Sequence, residues 1–131
     1  MRKFVLITMV FASLAALSLS ASAQVKTRVR FSTGTHGTSV KGTVRGYEYR
    51  DYVVGASAGQ KMTVSIDASA MSTVFTVFDP AGDNLDGAAE RNNFSGELPA
   101  KGDYVIRVLM LRSQARRRGS ISNYTLKITI R

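Results

Sequence analysis

The chain has 131 residues, a formal net charge of +9, no Cys, one His and 44% hydrophobic residues. That length accommodates one domain plus a short processed segment, and the hydrophobic content is too high for a disordered chain. The lack of Cys excludes disulfides, thiolate zinc sites and cysteine catalysis, and the single His excludes a multi-His metal centre.

The N-terminus reads as an export signal. Met1-Arg2-Lys3 is charged, Phe4 to Ser20 is uncharged and rich in Val, Leu, Ile, Met and Ala, and Ala21-Ser22-Ala23 supplies an A-x-A site. This is the three-part layout of a secretory signal peptide cleaved after Ala23. Small residues gather toward its end and no stop-transfer charges follow, unlike a membrane anchor. Residues 1–23 are therefore expected to direct export and 24–131 to form one mature domain. That domain would keep no membrane anchor, would lie in the periplasm or the medium, and would not meet nucleic acid. Without Arg2 and Lys3, 16 basic residues stand against 9 acidic ones, a net +7.

The mature segment reads as strands throughout. From Val25 to Phe31, Val25, Thr27, Val29 and Phe31 alternate with Lys26, Arg28 and Arg30, a strand with one wet face. Thr38 to Tyr47 is rich in Thr, Val and Gly, with Gly42 and Gly46 as points of weakness or bulging. Asp51 to Gly55 carries Tyr52-Val53-Val54. Met62, Val64 and Ile66 alternate with Thr63, Ser65 and Asp67, and Thr73 to Phe78 is a run of β-formers. Tyr104 to Leu111 is apolar on both faces except at Arg107, as in a central strand. Tyr124, Leu126, Ile128 and Ile130 alternate with Thr125, Lys127, Thr129 and Arg131 to close the chain. No long stretch has helical period. Gly and Pro in Ala58-Gly59-Gln60, Asp79-Pro80-Ala81-Gly82, Pro99-Ala100-Lys101-Gly102 and Arg118-Gly119 mark turns. About 7–9 short strands so spaced predict a single all-β, antiparallel β-sandwich. Its core would draw on Val29, Phe31, Val64, Ile66, Phe75, Val77, Tyr104, Ile106, Val108, Leu126 and Ile128, each contributing roughly 1.5–3 kcal/mol when buried.

Chemistry-bearing patterns are sparse. His36 lies in Gly34-Thr35-His36-Gly37, a small-residue loop without a nucleophile elbow, and reads as a solvent-exposed loop residue. Asp79, Asp83 and Asp86 lack calcium-loop spacing and read as turn formers. No pair among Glu48, Glu90, Glu97 and the Asp residues is marked as a glycosidase dyad. The expectation is a non-enzyme without cofactor or metal.

The basic and aromatic clusters say more. Arg112-Ser113-Gln114-Ala115-Arg116-Arg117-Arg118 follows the apolar strand, and a single helical turn would set Arg112 beside Arg116. Arginine offers a rigid donor fork matched to carboxylates and phosphates. Tyr47-Glu48-Tyr49-Arg50-Asp51-Tyr52 adds the aromatic half of a Tyr-plus-Arg composition common in protein interfaces. A solvated loop beside core-capping tyrosines has the same composition.

Three segments in series resemble the periplasmic inhibitors of g-type lysozyme. They are Gly42-Thr43-Val44-Arg45-Gly46-Tyr47-Glu48-Tyr49-Arg50-Asp51-Tyr52, then Ala58 to Ile66, then Leu98-Pro99-Ala100 through Gly102-Asp103-Tyr104 and Arg107-Val108-Leu109 to Arg116, with Tyr124 near the end. The second segment and the Leu-Pro-Ala-x-Gly-x-Tyr turn are also similar to pre-peptidase C-terminal domains, which are β-sandwiches. The resemblance implies a g-type lysozyme as protein partner, and a muramidase cleft blocked by Arg- and Tyr-rich loops. It points to Tyr47, Tyr49, Arg112 and Arg116, with Tyr52 as further apolar contact. Lysozyme inhibitors share a Ser-Gly-x-Tyr loop, which here is Lys101-Gly102-Asp103-Tyr104, so Lys101 replaces the Ser hydroxyl with a charge. Gly102 would allow a turn presenting Lys101 and Asp103, while strand alternation favours Tyr104 as core. The alternative is a non-catalytic module of pre-peptidase type that binds cell wall, carbohydrate or a polyanion.

Overall fold

The computed structural model describes residues 25–131; the expected signal peptide, 1–23, lies outside the described residues. Eight strands and one helical turn follow in chain order: β1 (Val25–Arg28), β2 (Gly37–Arg45), β3 (Tyr49–Ala56), β4 (Lys61–Ala68), β5 (Thr73–Phe78), β6 (Asn93–Glu97), β7 (Gly102–Met110), α1 (Arg112–Ala115) and β8 (Ile121–Ile130). They form two four-stranded sheets, β1-β3-β7-β5 and β2-β8-β4-β6, packed as the expected sandwich.

The pairing is antiparallel except at one edge. There β1 runs parallel to β3, with Val25 opposite Arg50 and Arg28 opposite Val53. A period of two fixes which side chains share a face but not strand direction, so the sequence did not disclose this pair. The first strand also stops earlier than its alternation suggested. Thr27 is exposed, while Val29 is buried and still donates its N–H to the Val53 carbonyl at 2.9 Å. The unforeseen strand β6 is Asn93-Phe94-Ser95-Gly96-Glu97, an edge strand whose one large apolar residue gives little periodic signal.

Alternation places the core between the sheets. Phe75, Val77, Tyr104, Ile106, Val108, Val64, Leu126 and Ile128 are fully enclosed, as the sequence predicted. Phe31 and Ile66, predicted with them, are only partly buried at the core margin. Val44, Val54, Met62 and Leu98 complete the interior. The central strand β7 sends Tyr104, Ile106, Val108 and Met110 inward and leaves Asp103, Val105, Arg107 and Leu109 on the outer face.

Candidate functional site

Register along β7 decides which candidate residues can act together. Antiparallel pairing sets Tyr49 of β3 opposite Leu109 and Ala56 opposite Gly102. Tyr47 and Tyr49 therefore stand at the end of the sheet where β7 runs into α1. Lys101, Gly102 and Asp103 stand at the other end, about 20–27 Å from Tyr49 at roughly 3.4 Å per residue.

The α1 end is built from two connections braced against each other. Leu111 is extended, and its carbonyl accepts from the N–H groups of Gln114 and Ala115 at 2.9 Å each. Arg116 then donates to the Arg112 carbonyl at 3.0 Å, closing the one turn that sets Arg112 and Arg116 on one side. Buried Ala115 pins this turn to the core, while Arg112, Arg116, Arg117 and Arg118 are exposed. The β2–β3 turn packs beside it. Gly46, at φ +55, donates to the Ser120 carbonyl at 3.1 Å, and Glu48 donates to Arg45 at 3.0 Å. That turn lifts Tyr47 into solvent, 67% exposed. The described residues contain two salt bridges, Arg28–Asp103 and Arg107–Asp51, so the arginines of this tip carry no intramolecular ion pair.

Tyr49 is half-buried and held from below. The Arg107 guanidinium lies 4.1 Å from its ring centre and 4.9 Å from that of Phe78. Arg107 is itself clamped on Asp51, Nε to Oδ1 at 2.8 Å and Nη2 to Oδ2 at 3.0 Å. That hydrogen-bonded pair raises the Arg107 pKa above its ordinary value. A groove of about 460 Å³ runs from Tyr47 and Tyr49 past Leu109 and Arg107 to Phe78 and Glu90. A second tie fixes the hairpin, since Arg50 Nε donates to the Thr43 carbonyl at 2.7 Å.

Tyr52, expected as apolar contact, belongs to the interior instead, and Tyr104 of the loop motif lies in the core, the side that strand alternation favours. Tyr52 is 5% exposed, and its hydroxyl shares a 2.5 Å hydrogen bond with that of Tyr124, the rings meeting edge to face. Tyr104 is fully enclosed; its hydroxyl donates to the Ala100 carbonyl at 2.7 Å and accepts from the Ala100 N–H at 3.2 Å. Neither presents surface to a partner. The signal for Tyr52 was in the sequence: three residues from Tyr49 on one strand, it must face the opposite side of the sheet.

At the far end, Gly102 takes φ +147, and a Cβ there would come within 2.8 Å of the Pro80 ring. Lys101 is exposed. Asp103 is engaged by Arg28 through two hydrogen bonds of 2.9 and 3.0 Å, which hold its carboxyl below the usual carboxylate range. His36 is an exposed loop residue, and the Asp79 carboxylate accepts the Ala81 and Asp83 N–H groups at 3.0 Å each, a turn-forming role.

No protein-family model matches the chain. A protein of Escherichia coli K12, the "Inhibitor of g-type lysozyme", is 31% identical over 122 residues, which cover 87% of each chain. The chain belongs to the family of g-type lysozyme inhibitors. The crystal structure of Aeromonas hydrophila PliG, a periplasmic inhibitor of g-type lysozyme, is 34% identical and superposes with a TM-score of 0.71 over 82% of this chain and 96% of that one. Salmonella Typhimurium PliG is 28% identical with a TM-score of 0.65, covering 82% and 98%. The pre-peptidase C-terminal domain of a Bacillus anthracis collagenase, 15% identical at a TM-score of 0.52, shares the fold. Family members are inhibitors rather than catalysts, which accords with a chain whose exposed chemistry is cationic and aromatic. Within this member, the Tyr47–Tyr49 hairpin and the Arg112–Arg116 turn share one end, and the Lys101 turn occupies the other.

Proposed function

We propose that this protein is an exported inhibitor of g-type lysozyme, acting in the periplasm, that inserts its α1 end into the muramidase cleft. The observation that carries this reading is the convergence of Tyr47, Tyr49, Arg112 and Arg116 on one braced end, with the arginines in no ion pair among the described residues. Inhibition needs no group that reacts. A muramidase works through a carboxylic acid that must hold a proton to protonate the leaving oxygen. A guanidinium set against that carboxyl favours its ionised form and lowers its pKa. Arg112 and Arg116 supply two such guanidinium groups on one helical turn. Tyr47 supplies a flat amphipathic surface where a sugar ring would otherwise lie, and Tyr49 is its rigid footing. Lys101, Gly102 and Asp103 are assigned no contact with the same cleft, because a loop inserted at one end leaves the other outside.

The test is cell-wall lysis by a purified goose-type lysozyme with the exported chain added. Slowed lysis is expected, and unchanged lysis at micromolar excess refutes the reading. The double substitution Arg112→Ala, Arg116→Ala should relieve inhibition at least tenfold while the thermal midpoint stays within a degree or two. Retention on insoluble peptidoglycan without slowing of lysozyme would favour a wall-binding module instead.

A further inference from the structure

Four side chains do not make a stable protein interface. A standard one buries about 1,600 Å² in total, some 20–30 residues a side. The remaining contact of an inserted tip must come from whatever else stands at the same end. Among the described residues three large hydrophobic side chains are exposed: Tyr47, Met71 at 99% and Ile121 at 42%. All three are at the α1 end, on three separate segments. Ile121 begins β8 opposite Arg45, and Met71 tops the connection from β4 to β5.

The Met71 connection is stiff. Thr73 of β5 pairs with Met110 of β7, and the Leu111 N–H continues that ladder to the Ser72 carbonyl at 2.8 Å. Met71 precedes Ser72 and Arg112 follows Leu111, so the β4–β5 turn and α1 leave the same bonded pair at one end of the sheet. The base of the loop is held from the other sheet. Ser69 N–H donates to the Asn123 carbonyl at 2.9 Å, and Asn123 N–H donates to Ser69 Oγ at 3.0 Å. Enclosed Ser122 receives Thr73 Oγ1 at 2.6 Å and the Ala70 N–H at 3.3 Å. The loop is otherwise Ala and Ser, so its one long side chain contributes nothing to the core and stands in water. Scattered exposed hydrophobics are ordinary on a protein surface. An exposed Met on a hydrogen-bonded loop, at the same end as exposed arginines and an exposed Tyr, matches the composition of an interface centre, enriched in Met, Arg and aromatic residues.

We infer that the β4–β5 loop is a third arm of the inhibitory tip, with Met71 as its apolar anchor against the rim of the g-type lysozyme cleft. The inference rests on the inhibitor reading above. The unbranched thioether chain adapts to an irregular apolar rim, while the bonded backbone of the loop limits the entropy lost on docking.

The test is inhibition of goose-type lysozyme by Met71→Ser and Met71→Asp, together with an oxidation footprint. Both variants should keep the thermal midpoint, because the side chain touches no core. Met71→Ser should weaken inhibition about tenfold and Met71→Asp more. In dilute hydrogen peroxide the Met71 thioether accepts one oxygen to become a sulfoxide while the peroxide leaves as water. Peptide mass spectrometry should show that step slowed at least fivefold by saturating lysozyme. Full inhibition by both variants, or equal oxidation rates free and bound, overturns the third arm. If Arg112→Ala, Arg116→Ala abolishes inhibition while the Met71 variants retain it, only this inference falls. If the wild-type protein does not slow lysozyme, the inhibitor reading falls and takes the third arm with it. Protection of Met71 by raised protein concentration alone would assign the surface to a second copy of this chain and overturn the lysozyme contact.

Discussion

Replacing Gly42 by Ala tests how the β2–β3 hairpin that carries Tyr47 and Tyr49 is supported. Gly42 faces the interior from β2, directly opposite Tyr124 in β8, and its φ is not in the left-handed region. Space, not backbone freedom, makes it glycine. A Cβ there would collide with Tyr124 Oη and come within 2.9 Å of Tyr52 Oη, the two hydroxyls that bond each other across the sandwich. Overpacking of this kind costs about 1–3 kcal/mol, and pushing the hydroxyls apart forfeits about 1 kcal/mol of hydrogen bonding. Ala recovers roughly 0.5–1 kcal/mol over Gly within a strand. The net loss is about 2 kcal/mol, or about 8–16 °C in melting midpoint at roughly 4–8 °C per kcal/mol for a domain of this size. Thermal unfolding followed by near-ultraviolet circular dichroism measures it. Combining Gly42→Ala with Tyr124→Phe removes the oxygen that the new methyl strikes. The double variant should therefore be at least 1 kcal/mol more stable than the two single losses added together. A Gly42→Ala protein that melts at or above the wild-type midpoint would refute the idea that two phenols fill the space of the missing side chain.

Asp51→Asn removes the charge opposite Arg107, which is one-third exposed. It should destabilise by about 1–3 kcal/mol in thermal melts and weaken inhibition through a loosened Tyr49. Burial and the bond to Tyr52 raise the Tyr124 pKa above its usual 10.0. The folded protein therefore keeps a proton that the unfolded chain gives up, so stability should be full below pH 10 and decline above it, with a shallower decline in Tyr124→Phe. The Asp103 carboxyl shifts the other way. Its contribution with Arg28 should hold above its ordinary value of 3.8 and fade as pH falls below it, and Asp103→Asn should remove that part of the acid response. Inhibition resting on exposed arginines should weaken as salt rises from low to physiological ionic strength, more for the wild type than for Arg112→Ala, Arg116→Ala.

Half of the proposed binding end is legible in the sequence. Four-residue spacing anticipated the turn that pairs Arg112 with Arg116, and the family resemblance singled out Tyr47 and Tyr49. Met71 is not legible there, because a lone apolar residue among Ala and Ser carries no periodic signal. Its proposed role rests on the Ser72–Leu111 bond, which sets its loop at the α1 end. The family resemblance offers Tyr52 as apolar contact and Tyr104 as the last residue of the Ser-Gly-x-Tyr loop, although strand alternation already favours the core for Tyr104. Alternation within their strands sends both inward, to bond with Tyr124 and Ala100.

By itself the sequence determined the strand periods, the turns between them, most of the core and the class of fold, since each follows from which neighbours along a chain point the same way. Only the tertiary structure decided the parallel edge pairing of β1, the burial partners of the two tyrosines, and the separation of the Lys101 turn from the arginine tip. Those depend on register between strands distant in sequence. Register is set by how two faces pack against each other, which no local pattern encodes.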